Sequence, residues 1–277
     1  MESRLKCSRR EFFAAAVAFG SVTPVLGLEG DGQNILSRGI DSHLIALLSG
    51  VRTGGEILSR QISSILRLDP LPCRCVILPE CEETAGAAAY EVSGRLAAAG
   101  IATVSAEPER VRVVPAKCCD LILLDDSGGS FALSVQKWLA AELPRWSRPL
   151  FICAVHPPEW KSQGVVRSLA VCGRPFRELL DRVPCLAGYL HSHAHRWQNA
   201  SSSTAVGRMF PMLSLPSADG WGDIGHVLLH VSQDGAVAEL RQDGFRLPLE
   251  LPPEPRHADF RAMVAANLGA TCHFRWS

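Results

Sequence analysis

Short apolar segments alternate with helical segments through the first two thirds of this chain, and this alternation is the strongest constraint on its fold. The segments concerned are strand-like runs at residues 44–48, 75–78, 101–104, 112–114, 121–124, 150–155 and 186–190, and helical patterns at residues 55–67, 87–99, 133–143 and 175–180. Gly100 marks the end of the second helix, since glycine readily adopts the left-handed conformation found there. Strands that alternate with helices in this way form a largely parallel sheet covered by helices.

The last third of the chain has a different pattern, in which predicted strands follow one another without helices. Aspartate–glycine pairs at residues 219–220, 234–235 and 243–244 are turn signals between strands predicted at residues 209–215, 225–231, 236–240 and 245–249. A run of alternating strands and helices followed by hairpins predicts two sheets packed together, with helices outside. One further helix is predicted at residues 259–267.

The N-terminus has the features of a targeting segment. Residues 8–13 match a twin-arginine pattern, and the apolar run 14–19 follows it, with Gly27 as the expected cleavage point. We therefore expect export to the periplasm or beyond, with an ordinary amphipathic N-terminal helix as the alternative. The predicted organisation is a signal segment at 1–27, a connector at 28–42, a domain at 43–250 and a C-terminal tail at 251–277.

Composition narrows the classes of partner. The chain has 28 basic and 28 acidic residues, and this balance gives no basic patch that would favour nucleic acid or an anionic membrane. Beyond the signal segment, no apolar stretch is long enough to span a bilayer. The ten cysteines do not have the spacing of a zinc frame, and most lie in or beside apolar runs, where a thiol acts as a small hydrophobe. One or two disulfides would be compatible with an oxidising compartment.

Histidines follow two of the predicted strands. The run 150–155 ends in His156, and the run 185–190 is followed by His191, His193 and His195. In an extended chain, alternate side chains share one face and lie about 6.6 Å apart. Imidazole is the commonest metal ligand among side chains, so two strands that end in histidine predict one metal site at a sheet edge. Taken singly, His156 would be an ordinary strand end and His191 an exposed polar residue.

Three motifs resemble those of the calcineurin-like metallophosphoesterase family, and they occur along the chain in the same order as in that family. Residues 155–158 (VHPP) resemble its strand that ends in a histidine ligand followed by prolines, and residues 189–196 resemble its GHxH segment with Ser192 in the glycine place. Residues 136–143 resemble the Q-x-W-L-x-x-x-L helix that often precedes the histidine strand. The resemblance covers about residues 44–249. It implies a four-layer α/β/β/α sandwich of two mixed sheets, with two metal ions that activate a hydroxide and clamp a phosphate ester.

The N-terminal ligands of that family are replaced here. Gly50 and Arg52 stand in the places of the first aspartate and histidine, Cys81 in the place of the bridging aspartate, and Glu107 and Pro108 over the asparagine and histidine of the third strand. Two cations held close together need carboxylates to offset their mutual repulsion. We therefore expect one ion (Zn, Mn or Fe) rather than two, with no bound metal as the alternative.

Histidines supply the predicted ligands of that ion, which are His156, His193 and His195. Arg52 is the predicted substrate contact, because a guanidinium in the vacated position could bind a phosphate or carboxylate through two hydrogen bonds; a solvated loop arginine is the alternative. One of several nearby groups could complete the metal site or remain in solvent, namely Glu80, Cys81, Glu82, Glu83, Glu107 and Glu109. Asp125 and Asp126 are interpreted as an Asx-type turn rather than as ligands.

The resemblance implies a divergent, metal-dependent phosphoesterase with a reduced site. One alternative is an inactive relative that binds a phosphorylated small molecule, another anion or a protein partner without turnover. A purely structural exported domain is the third hypothesis.

Overall fold

The fold is given by a computed structural model, which describes residues 43–51, 55–78, 85–162, 164–203, 207–218, 224–242 and 270–276. The predicted signal segment and connector, the strand predicted at 245–249 and the helix predicted at 259–267 lie outside the described residues. They remain predictions, as does export. None of the helices in the described part is long and apolar enough to cross a membrane.

The first of two six-stranded sheets contains the N-terminal strands and the C-terminal hairpins. Its strands are β1 (His43–Leu48), β2 (Arg74–Ile77), β3 (Ala102–Ser105), β14 (His226–Val231), β15 (Gly235–Arg241) and β16 (Thr271–Arg275). They lie in the order β16-β15-β14-β1-β2-β3. The strands β1, β2 and β3 are parallel, whereas β14, β15 and β16 pair antiparallel.

The second sheet carries the histidines. Its strands are β4 (Arg112–Pro115), β5 (Asp120–Leu123), β6 (Leu150–Ala154), β11 (Leu186–His191), β12 (Gln198–Ser203) and β13 (Met209–Ser214). They lie in the order β12-β13-β11-β6-β5-β4, with four parallel central strands and an antiparallel strand at each edge. Two small hairpins follow β6, namely β7 (Glu159–Ser162) with β8 (Val165–Ser168), and β9 (Ala170–Val171) with β10 (Arg174–Pro175).

Helices cover the outer face of each sheet. They are α1 (Glu56–Ile65), α2 (Ala85–Ala97), α3 (Leu133–Glu142) and α4 (Phe176–Leu180), and a 3-10 turn at Leu143–Arg145 follows α3. Neighbouring residues on one strand point to opposite faces. Thus Leu47 packs with Phe151 of the second sheet in the central core, while Leu48 packs with Leu58 of α1. On the other side, Ile152 packs with Leu139 of α3. The layers are therefore α/β/β/α, and the predicted fold class is confirmed.

The carboxyl ends of the central strands of both sheets meet at one edge, which we call the histidine edge. The N–H of Leu215 donates to the carbonyl of His191 at the end of β11 (2.8 Å), and three residues later the N–H of Ala218 donates to the carbonyl of Ser49 at the end of β1 (2.7 Å). The hydroxyl of Ser49 also donates to the carbonyl of Pro216. The carboxyl end of β1 is therefore tied to the segment that begins beside His191.

The structure adds a strand to the predicted domain. β16 lies in the tail that was predicted to begin at residue 251, yet it pairs with β15, so the first sheet includes residues beyond 250. Its side chains alternate, with Cys272 and Phe274 buried in the central core. Two buried residues are too few to stand out as a strand in sequence.

Most of the described cysteines are buried or half-buried, as predicted, whereas Cys73 and Cys172 are exposed. All eight of those in the described part are free thiols. Burial raises the pKa of Cys75 and of Cys272 to about 12, so neither forms a thiolate near neutral pH.

Candidate functional site

A buried carboxylate fixes the first histidine of the site. Asp126 is 0% exposed, and it accepts hydrogen bonds from the backbone N–H groups of Val155 (2.7 Å) and His156 (3.1 Å). Its Oδ2 also lies 3.0 Å from Nδ1 of His156. Because the carboxylate is an acceptor here, we assign the ring proton to Nδ1, which makes Nε2 the ring nitrogen that carries the lone pair. A carboxylate behind the ring is the usual support of a metal-binding histidine.

The sequence did not reveal that Asp126 supports the His156 ring. The Asx turn predicted for the pair is formed by Asp125, whose Oδ1 accepts the N–H of Ser127 (3.0 Å). Asp126 instead reaches across to the end of the neighbouring strand β6. One feature of the sequence could have indicated this role. Asp126 is the second of two acidic residues just beyond the buried strand β5, and β5 pairs with β6, the strand that precedes His156.

Aromatic contacts join the two histidine strands. The His156 ring stacks on the indole of Trp160, with centroids 4.4 Å apart and planes at 26°. Its centroid lies 4.6 Å from that of His193, at 41°. The backbone N–H of His193 donates to the carbonyl of Val155 (2.8 Å), which locks the segment after β11 to the end of β6. The structure therefore brings together two of the three predicted ligands.

Burial keeps two of the histidines neutral. The pKa of His193 is lowered to about 4, first by burial and then by His156. The pKa of His191 is lowered to about 3 by burial, with smaller effects from the other three histidines of the edge. His191 is thus buried rather than exposed as predicted, and its Nδ1 has no hydrogen-bond partner among the described residues. Neutral imidazoles can ligate a metal, whereas they attract an anion only weakly.

His195 is placed differently. It is buried, has a left-handed backbone (φ 47°) and closes a turn by donating its N–H to the carbonyl of Ser192 (3.1 Å). In the described part of the chain, no three His, Cys, Asp or Glu side chains are grouped so that they could hold one ion. The metal assignment to His156, His193 and His195 therefore remains a prediction.

Other groups occupy the places of the missing carboxylates. Gly50 has φ +67°, and a Cβ there would overlap the hydroxyl of Ser217. Glu107 is paired with Arg112 and lies 3.8 Å from Arg110, so its charge is already balanced. Arg52 and residues 79–84, which include Glu80, Cys81, Glu82 and Glu83, lie outside the described residues.

The described residues do not fit a two-metal centre. Two cations would need bridging carboxylates, but Asp126 is fully buried against three donors and Glu107 is engaged by arginines. The donor chemistry does suit a single transition metal, because His156 is oriented by a carboxylate and His193 is neutral. These two imidazoles fall short of the three protein ligands of an ordinary catalytic zinc.

The lowered histidine pKa values predict acid sensitivity. His191 and His193 titrate near 3 and 4 in the folded chain but near 6.5 when unfolded. Between these values the unfolded chain binds more protons, so the free energy of unfolding should fall as pH is lowered, by about 1 kcal/mol per pH unit for each ring. Urea unfolding at pH 7 and pH 5 measures this loss. His193→Gln should flatten the dependence, and His273→Gln, at an exposed position of β16, is the matched substitution for comparison. Equal stability of the wild-type chain at both pH values would contradict the prediction.

The comparisons with known proteins find similarity in structure. Neither a protein-family model nor a curated protein matches the chain. A dimetal phosphatase from Danio rerio is 12% identical, with TM-score 0.48 over 72% of this chain and 96% of that one. GAP50, an inner-membrane-complex anchor of Plasmodium, is 9% identical, with TM-score 0.46 over 82% and 95%. A predicted phosphoesterase from Streptococcus pneumoniae is 10% identical, with TM-score 0.35 over 72% and 88%. Such low identities carry no argument about the site.

Proposed function

We propose that this chain is a divergent metal-dependent phosphoesterase that uses one divalent ion rather than two. The observation that carries the proposal is the unit formed by Asp126, His156 and His193. It joins a buried carboxylate, an oriented imidazole and a second, neutral imidazole at the edge where the sequence motifs place a phosphoesterase site. Structural packing alone does not require a carboxylate and stacked imidazoles at this edge.

Each residue has a definite task in this proposal. His156, through Nε2, and His193 would hold the ion, with His195 as the further ligand predicted from sequence. Asp126 keeps the proton on Nδ1 of His156 and fixes the ring direction. Trp160 covers one face of that ring and excludes water from it, which strengthens nearby electrostatic interactions. A bound divalent ion supplies polarisation of the phosphoryl oxygens and a more acidic water.

Removal of His193 tests the proposal. His193→Ala should lower the hydrolysis of bis(p-nitrophenyl) phosphate by at least about tenfold, since it removes a proposed ligand from a small set. The measurement uses the full chain supplied with Zn, Mn or Fe, and bound metal is quantified in the same samples. His273→Ala is the matched control, because His273 is an exposed histidine on β16.

Two results would overturn this function. The first is a lack of turnover in the metal-supplemented wild-type chain. The second is turnover that survives in His193→Ala at the level of the His273→Ala control, which would place the activity elsewhere.

An inactive relative that binds an anion is the second candidate. It is favoured by the packing of Ser217 against Gly50, because the place of the first carboxylate is closed. If this candidate is right, phosphate compounds should raise the melting temperature without being hydrolysed. Arg52→Ala should abolish that rise in melting temperature. No shift in melting temperature across a panel of phosphates would remove it.

A further inference from the structure

The β7–β8 hairpin exposes apolar side chains beside the histidine site. Among the described residues, β7 and β8 pair only with each other and belong to neither large sheet. All four residues of β8 are exposed, with Val165 at 60% and Val166 at 63%. These adjacent valines on a small hairpin leave more than half of their surface outside the packing of the folded chain. An external surface that covered them would bury this apolar area and gain free energy from doing so.

The register of the hairpin puts one valine and one basic residue on each of its faces. Lys161 lies opposite Val166, and Arg167 lies opposite Trp160 on the face that also carries Val165. Among the described residues, neither Lys161 nor Arg167 takes part in an ion pair.

The acidic residue of the hairpin does not cancel this charge. Glu159 is paired with Arg177, with a nitrogen–oxygen distance of 2.8 Å. The hairpin is therefore locally basic, although the net charge of the whole chain is zero and predicts no anionic-membrane partner.

We propose that the β7–β8 hairpin docks on the surface of an anionic lipid bilayer. Basic side chains with long apolar stems can hold their charges among lipid headgroups while the valines enter the acyl boundary. An anionic bilayer is favoured over a protein partner because both basic side chains beside the valines, Lys161 and Arg167, lack an ion-pair partner among the described residues, which suits anionic headgroups. The exposed area of a four-residue strand is also small for a stable protein interface.

The position of the hairpin links this surface to the histidines. Trp160 belongs to β7 and stacks on His156, so a docked hairpin brings His156 to the level of the headgroups. This consequence rests on the proposed function and names a substrate class for it, which is the phosphate esters of lipid headgroups. The docking itself does not depend on turnover.

Vesicle co-sedimentation of the full chain tests the docking. We expect binding to vesicles of phosphatidylcholine with phosphatidylglycerol, weak binding to phosphatidylcholine alone, and loss of binding at high salt. Val165→Ser with Val166→Ser should weaken binding by about tenfold. Val113→Ser, at an exposed valine on β4, is the matched control.

Charge variants and competition complete the design. Lys161→Gln with Arg167→Gln should reduce the salt dependence of binding, and free inorganic phosphate should not compete with vesicles. Equal sedimentation with both vesicle types, or wild-type binding by the double valine variant, would overturn the docking. Self-association that the double valine variant abolishes, without vesicle binding, would show instead that the hairpin meets a second copy. Vesicle binding without any phosphodiester hydrolysis would overturn only the proposed function.

Discussion

Replacement of Asp126 by alanine should lower the free energy of unfolding by about 3–5 kcal/mol, the effect of removing one partner from a buried charged network. The carboxylate is fully buried and accepts the N–H groups of Val155 and His156 as well as the His156 ring. Without it, these buried donors lose their acceptor, and each unsatisfied donor costs about 1–3 kcal/mol. The end of β6 and the direction of the His156 ring both depend on this residue.

Asp125 provides the control for this change. Its carboxylate accepts one local bond, from the N–H of Ser127, in a partly exposed turn. Asp125→Ala should therefore cost no more than about 1 kcal/mol. Urea unfolding of both variants gives the comparison. If Asp126→Ala were within about 1 kcal/mol of Asp125→Ala, Asp126 would not be the support of the site.

Placing an aspartate at position 50, where the sequence motifs expect the first metal ligand, should destabilise the chain and should not restore a metal site. Gly50→Asp is expected to lower the free energy of unfolding by about 2–4 kcal/mol, because it combines a side chain at φ +67° with an overlap against Ser217. It should add no metal to the purified chain. Unfolding by urea and metal analysis of the same samples test both statements.

Two further variants separate the contributions of steric overlap and of backbone strain to this loss of stability. Gly50→Asp with Ser217→Gly should recover the part of the loss that arises from overlap, while the backbone strain remains. Gly128→Asp, in an exposed turn where a Cβ meets nothing within 4 Å, should change stability by no more than about 0.5 kcal/mol. A stable Gly50→Asp chain that gained a metal ion would show that the first carboxylate place is still open.

Much of the fold could be predicted because most of the central parallel strands are buried on both faces. Such strands are continuous apolar runs, as in β6, where all five residues are buried. The edge strand β12 is polar, with the sequence QNASSS, and has no apolar alternation to mark it. The β7–β8 hairpin has the same difficulty, since only Trp160 of its four β7 residues is buried.

The site could be predicted only in part. Histidines that end neighbouring parallel strands must meet at one edge, and His156 and His193 do so. The support from Asp126 depends on how β5 lies beside β6, which local sequence does not encode. The closure of the Gly50 position likewise depends on Ser217, which comes from a loop far along the chain. Contacts of this kind arise from tertiary packing and carry no local pattern.

We propose that this chain keeps the histidine ligands of a single-metal phosphoesterase site, while Ser217 closes the place of the first carboxylate at Gly50. Metal analysis of the folded chain, purified without chelators or immobilised metal, tests this most directly. We predict one transition-metal ion per chain, lost in His193→Ala and kept in His273→Ala. Two ions per chain, or none in the wild-type chain, would contradict this account.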